Sequence, residues 1–366
     1  MRVLLLTQVV PYPPDSGPKV KTYNVLRYLS QRHEVHLVCF VRSAAEAAQA
    51  RALQAWCSGI TTVPLRRSPA RDALYLGRSL LSGRPFLIER DDAHAMRSTV
   101  GRLGAHGAFD AVHADQLSMA QFAVDLPVPL RVLDEHNAVW TIVRRAAGSE
   151  RWGLRRALAE LEWRKLRAYE GAVCRRFDCV TVVSTEDQEA LEQAAGRPFQ
   201  ARVIPIAVDV EALAFTPRGP EARHVMSVAT MFYPPNAAGV HWFASEVFPA
   251  VRRALPETEF HIIGARPPKS IRRLAAPGRG IRVDGYVADL EPLLRQCAVL
   301  VVPVRAGSGM RVKILEAFAR GIPVVSTPIG VEGIEARPGE HLLVADEPEA
   351  FAAAVVRLMQ DPAAAA

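Results

Sequence analysis

Between two apolar runs, the stretch VVPVRAGSGMRVKILEAFARGIPVVSTPIG (residues 301–330) places a glycine-bearing loop before a helical pattern. Gly307, Ser308 and Gly309, followed by Met310, can bring backbone N–H groups close to a ligand without side-chain obstruction. Arg311 and Lys313 stand in the first helical turn, where a cation opposes the positive end of the macrodipole. A multiply charged anion such as a diphosphate relieves that conflict, since loop amides, dipole and both cations then converge on it. Glu316 follows Lys313 by three residues on the same face of an otherwise apolar helix. A carboxylate there can accept hydrogen bonds from two adjacent sugar hydroxyls. The plainer reading of Lys313 and Glu316 is a surface ion pair worth little to stability.

Such a loop needs a strand to hold it, and the chain supplies one rhythm throughout. Short β-branched runs alternate with longer helical patterns: VLLLTQVV, HEVHLVCFV, GITTVPL, DAVHAD, LRVLDEH and DCVTVVS in the first half. After ARVIPIAVD come HVMSVATM, EFHIIGA, IRVDGYV, AVLVVPV and IPVVSTP. Near-continuous apolar strands separated by helices predict parallel sheets covered on both faces. The stretch at 214–224, AFTPRGPEARH, reads as a linker between an α/β domain at 1–213 and a second at 225–366. Two doubly wound domains facing each other make a cleft, and open α/β sheets bind ligands beyond the carboxyl ends of their strands.

Several function classes drop out. A nicotinamide-dependent dehydrogenase needs G-x-G-x-x-G after the first strand, but TQVVPYPPDSGPKVKTYNVLRYL offers only Gly17 before a helix starting near Lys19. GSGMRVK lacks the P-loop pattern. The five scattered cysteines contain no CxxC pair, which argues against a disulfide framework or zinc knuckle and for a reducing compartment. MRVLLLTQVVPYPPDSG reads as a first strand rather than a signal peptide, and no apolar run reaches membrane-spanning length. The net charge of +7 is unevenly spread, with basic, aromatic-bearing stretches at 64–90 and 144–178. These are either solvated helix faces or surfaces drawn to an anionic membrane or lipid-phosphate acceptor. Nucleic acid is not an expected partner, because no recognition motif accompanies the charge. The expected location is the cytoplasm, including the inner face of the cell membrane.

Residues 298–334, AVLVVPVRAGSGMRVKILEAFARGIPVVSTPIGVEGI, resemble the donor-binding core of retaining glycosyltransferases of family 4, which have the GT-B fold. The opening PYPPDSGPKVKTYNVLRYLSQRHEVHLVCF, with FDAVHADQ, LDEHN, FDCVTVVSTEDQEAL and the segment from VMSVATMFYPPNAAGV to EFHIIG, resembles the rest of that family, nearest to bacterial enzymes that build exopolysaccharides. The resemblance implies transfer of a sugar from a nucleotide-diphosphate sugar to a glycan or lipid-linked acceptor. It implies that Gly17 meets the donor diphosphate through its backbone. Arg311 and Lys313, with the amides of Ser308 and Gly309, neutralise the departing diphosphate, and Glu316 grips the ribose as the second glutamate of an E-x7-E motif. The backbone near Val287 is placed at the nucleobase. His113 to Asp115 end a strand beside the reacting sugar, and His136 and Asn137 are further acceptor-side candidates.

Three departures qualify that pattern. Ser308 stands where the first glutamate of E-x7-E would fall, the usual basic pair after the second domain's first strand is replaced by ATMFYPPNAAGV with Asn236 as nearest polar group, and Asp115 occupies a frequent histidine position. Relatives also continue beyond a helix like EPEAFAAAVVRLMQ with a segment crossing back to the first domain, whereas this sequence ends at DPAAAA. No D-x-D-like metal site accompanies the loop, the RDD at 90–92 lying in the first half. Neither metal nor organic cofactor is therefore expected, and Arg311 and Lys313 take the divalent ion's role of stabilising charge where it develops. Family behaviour favours same-face attack with Asp115 orienting the acceptor, rather than a carboxylate nucleophile. The alternatives are a sugar-nucleotide binder that is non-catalytic or acts with a partner, and a sugar-nucleotide 2-epimerase.

Overall fold

The computed structural model describes residues 1–149, 153–216, 219, 222–307 and 309–365. Of the expected linker at 214–224, residues 217, 218, 220 and 221 lie outside the described residues, as does Ser308. The chain divides into two compact units, Met1–Ile206 and Ala207–Ala366. Residues 214–216 pack within the second: Thr216 N–H donates to Arg320 O, and the Phe215 ring covers Gly321 so closely that a Cβ there would lie 2.2 Å from it.

Strands β1 (Arg2–Thr7), β2 (Glu34–Val41), β3 (Gly59–Pro64), β4 (Ala111–Asp115), β5 (Leu130–Asp134), β6 (Cys179–Val182) and β7 (Ala201–Val203) form the first unit's sheet in the order β3-β2-β1-β4-β5-β6-β7. The second unit's sheet has six strands: β8 (His224–Val228), β9 (Phe260–Ile263), β10 (Ile281–Gly285), β11 (Cys297–Val302), β12 (Val324–Ser326) and β13 (Leu343–Val344). Their order is β10-β9-β8-β11-β12-β13. All these pairings are parallel.

The apolar runs are continuous because each sheet is covered on both faces. Leu4 and Leu6 of β1 join one buried cluster with Phe40 and Val112, while Leu5 joins another with Leu26 and Leu37. Likewise Val299 and Val301 of β11 pack with Phe243 and Phe260, and Leu300 and Val302 with Met226 and Ile314. Fully burying each such side chain contributes roughly 1.5–3 kcal/mol. The chain order reverses between β1 and β4 in the first sheet and between β8 and β11 in the second. At such a switch point the flanking connections leave on opposite faces, so a crevice opens beyond the carboxyl ends of the two strands.

Candidate functional site

In the first unit, strand register draws four polar residues into one row. Thr7 pairs with Asp115, Asp115 with Asp134 and Asp134 with Thr181, all at the carboxyl ends of β1, β4, β5 and β6. Helix Gly17–Ser30 follows β1 and turns Lys21 and Thr22 inward, both buried. The Lys21 ammonium pairs with Asp134 Oδ1, which also accepts from Thr181 Oγ1 at 2.6 Å. Thr22 Oγ1 lies 3.0 Å from both carboxylate oxygens of Asp115, and His136 Nε2–H donates to Asp115 Oδ1 at 3.0 Å. Nε2 of His113 and of His136 sit 3.6 and 3.7 Å from Asp134 Oδ2.

This packing explains the protonation of the row. Burial alone would raise the pKa of Asp134, but the Lys21 charge and bonds from His113 and His136 hold it well below the ordinary carboxylate value. Burial likewise opposes a charged His136, yet the Asp115 carboxylate overrides it and raises the imidazole. Asp115, Asp134 and His136 have ligand atoms within 4.8 Å of one another, a spacing suited to a divalent ion. Lys21 already supplies the positive charge there.

The loop carrying His136 and Asn137 is anchored from below by acids. Ala138 N–H donates to Asp187 Oδ1 at 2.8 Å, and the N–H groups of Val139 and Trp140 donate to Glu170 at 2.7 Å each. Asp187 itself belongs to the capping box of helix Thr185–Ala195, where Ser184 Oγ accepts from Asp187 N–H. Glu135, fully buried, finds no hydrogen-bond partner for either carboxyl oxygen among the described residues. Burial, then the neighbouring Glu170 and Asp134 charges, push its pKa well up, and burial raises Glu170 to about 8.

In the second unit, the loop after β11 runs into helix Val312–Ala319, with Arg311 at the N-cap position and no acidic residue in the first turn. Gly307 (φ +106°) and Gly309 (φ +87°) adopt left-handed conformations. A Cβ on Gly307 would stand 3.3 Å from Arg311 Nη2 and 3.6 Å from Tyr233 Oη, so the guanidinium lies against the loop. Arg311 Nη1 also donates to Gly309 O at 2.8 Å. Lys313 Nζ and Glu316 Oε2 are 2.6 Å apart, 31% and 22% exposed. Such a partly exposed pair is worth about 0–1 kcal/mol and opens at little cost to a ligand. Helix Pro234–Trp242 presses on the strand end: a Cβ on Gly239 would lie 2.1 Å from Pro303 O.

Arg311, Lys313, Gly307, Gly309, Met310 and Glu316 thus share one loop and helix start. Asn236 lies after β8, and its side chain donates to Thr230 O at 3.1 Å, bracing that connection. Val287 is half-buried after β10 in the apolar group of Met226 and Ile314. On the first unit, Asp115, His113 and His136 come together, Asn137 follows half-buried, and Gly17 opens the helix that carries Lys21. Sequence reasoning missed Lys21, Thr22 and Asp134. A lysine on the inward face of helix Gly17–Ser30 and an aspartate closing LRVLD were the available signals. The RDD acids are held by arginines: Asp91 by Arg67, and Asp92 by Arg84 and Arg97 at 3.1 and 2.6 Å.

Two doubly wound parallel-sheet units of this topology match the GT-B fold of glycosyltransferases. The chain belongs to a known family of them: a model described as Glycosyltransferase Family 4 matches residues 16–212, and one described as Glycosyl transferases group 1 matches residues 222–361. Among solved structures, it is similar to HepE from Anabaena in complex with UDP and glucose (TM-score 0.69, 15% identity, 100% of this chain and 91% of that one). A sucrose-phosphate synthase from Thermosynechococcus elongatus gives a TM-score of 0.67 at 17% identity, over the same shares of the two chains. A point mutant of TarM from S. aureus, in complex with Fondaparinux, alpha-GlcNAc-glycerol and UDP, gives 0.66 at 10% identity over 100% and 94%. Among curated proteins, an uncharacterized 44.6 kDa protein in the cps region of Klebsiella pneumoniae is 27% identical over 140 residues, a stretch that makes up 36% of either chain.

The buried acids predict a pH dependence. Glu135 and Glu170 keep protons in the folded unit that the unfolded chain releases above their ordinary value of 4.5. The folded state then binds more protons, so stability falls as pH rises from 4.5 to about 8. The raised His136 adds the same sign above 6.5, and the lowered Asp134 acts only below 3.8. Glu135→Gln should flatten the pH 5–8 slope by up to about 1.4 kcal/mol per pH unit, read by urea denaturation across that range. An unchanged slope would contradict the assignment.

Proposed function

We propose that the protein transfers a sugar from a nucleoside-diphosphate sugar to a glycan or lipid-linked acceptor, with retention of anomeric configuration and without a divalent metal. The observation that carries this reading is the Gly307–Arg311 loop with Lys313 and Glu316 on the following helix turn. Loop amides, helix dipole and two cations suit a diphosphate, and Glu316, released from Lys313, suits a pair of ribose hydroxyls. Uridine is the first nucleotide to try, because the similar HepE and TarM structures contain UDP. The match in a cps region supports surface polysaccharide as the acceptor class.

The reaction builds negative charge on the leaving diphosphate and oxocarbenium character on the sugar. Arg311 and Lys313 stabilise the first where it develops. On the first unit, Asp115 is fully buried and holds Thr22 and His136 through its carboxylate. This favours a positioning role over a nucleophilic one: Asp115 fixes the His136 ring, and His136 and His113 meet the acceptor. Retention then proceeds by same-face attack, with the acceptor hydroxyl proton passing to the departing phosphate oxygen.

Membrane contact is proposed for helix Pro69–Ser82, where Leu74, Leu80 and Leu81 are 63%, 50% and 93% exposed beside Arg71 and Arg78. Leu154 and Leu161 are also exposed on helix Leu154–Cys174, which Lys165 ties to Ser79 at 2.6 Å. Exposed leucines among arginines are the pattern of an interfacial helix. No helix among the described residues is long and apolar enough to cross a membrane.

Two measurements check these readings. Calorimetric titration with UDP, GDP and dTDP in EDTA should show binding of one nucleotide, weakened about ten- to a hundredfold by Glu316→Ala or Lys313→Ala. Binding indifferent to both substitutions would reject the diphosphate reading. In vesicle sedimentation, phosphatidylglycerol should retain the protein and phosphatidylcholine should not. Leu74→Glu with Leu81→Glu should release it, and retention that survives the double substitution would place the contact elsewhere.

A further inference from the structure

A second polar cluster lies at the amino-terminal edge of the second sheet, the opposite end of the strands from the Gly307 loop. His224 opens β8, and His261 is the second residue of β9, preceded by Glu259. The reading of the chain as a glycosyltransferase makes no use of these residues. A strand of five residues separates this edge from the donor loop's end by about 16 Å.

The geometry within the cluster is specific. His261 is 2% exposed, and its ring lies 5.1 Å from that of His224, inclined at 37°. Its Nδ1 is 3.1 Å from Asp284 Oδ2 on β10. Metal-binding histidines commonly hold a carboxylate on the ring nitrogen that does not ligate, as Nδ1 does here. That other atom, Nε2, is buried without a hydrogen-bond partner among the described residues, and it faces Glu259 Oε2 at 3.5 Å. Nε2 and Oε2 so placed call for a positive centre between them, a proton or a metal ion.

We propose that His224, His261 and Glu259 form a binding site for a divalent transition-metal ion, zinc by its ligand set, that joins β8 to β9. Ligand atoms of the three residues lie within 4.8 Å of one another. Zinc bonds of about 2.0–2.2 Å in a tetrahedron put neighbouring ligand atoms about 3.4 Å apart, close to the Nε2–Oε2 separation. Two imidazoles suit zinc, nickel or copper rather than magnesium or calcium. Among the described residues Glu259 also meets Arg282, 60% exposed and 3.7 Å away, a weak competitor. Glu259 is 39% exposed, so the fourth coordination position opens to water. With three strand-edge ligands and no link to the donor loop, the ion's role is to staple the sheet edge.

The test uses the full chain, freed of any affinity tag and treated with chelator. Titration with zinc chloride at pH 7.5 should show one equivalent bound per chain, with a rise in melting temperature. His224→Ala and Glu259→Gln, both at partly exposed positions, should each weaken that binding at least tenfold while leaving the metal-free melting temperature near wild type. Cobalt(II) should give a tetrahedral visible spectrum that either substitution abolishes. Absence of stoichiometric zinc binding, or binding that both variants retain, overturns the proposal. The first result would mean that a proton bridges His261 and Glu259, the second that the metal sits elsewhere.

Discussion

A carboxylate buried at the end of a central strand requires a buried cation, and the first unit is built around that requirement. Asp134 and Asp115 are brought side by side by the β4–β5 register, so two acids share one desolvated edge. Left alone, such a pair destabilises the fold by several kcal/mol. The Lys21 ammonium on Asp134 and the imidazole of His136 between the two acids offset the charge. Everything that positions these groups follows: helix Gly17–Ser30 must pack with Lys21 inward, and the 135–138 loop must hold His136 over the row. Glu170 and Asp187 hold that loop through backbone amides.

The second unit solves the opposite problem. Its cations, Arg311 and Lys313, gather at the positive end of a helix, and the only acid in that helix is Glu316. The first unit's buried row of acids is neutralised within the fold, whereas the second unit gathers Arg311 and Lys313 at a helix start with only Glu316 to set against them. This asymmetry is physical support for assigning the diphosphate to the second unit. It also separates the loop from the histidine edge across the strands, where imidazoles and carboxylates make a metal-like set with no dipole behind it.

The strands were legible because parallel strands covered on both faces write their burial as contiguous apolar runs. β13, only two residues long, carries no such signature and went unread. The helix expected near Lys19 begins at Gly17, since Ser16 supplies the extended residue before it and Pro18 fits the first turn without needing a donor. Arg311, Lys313 and Glu316 stood out in sequence because they interrupt an apolar helix. Lys21 and Asp134 did not, because their pairing spans 113 residues and nothing local in either segment records the other. The buried Glu135 was equally silent: a glutamate in LDEHN reads as an exposed loop residue until the three acids around its loop are seen.

The central claim is that the donor's sugar leaves its nucleotide for an acceptor. Release of UDP from a panel of UDP-sugars, with a lipid extract bearing lipid-linked oligosaccharides as acceptor source and EDTA present, measures it most directly. The account predicts that one donor yields UDP in step with sugar incorporated into the lipid fraction, and that Glu316→Ala suppresses both together. Conversion of the donor to an isomeric UDP-sugar without UDP release, or no consumption of any donor by a protein that binds UDP, would contradict it.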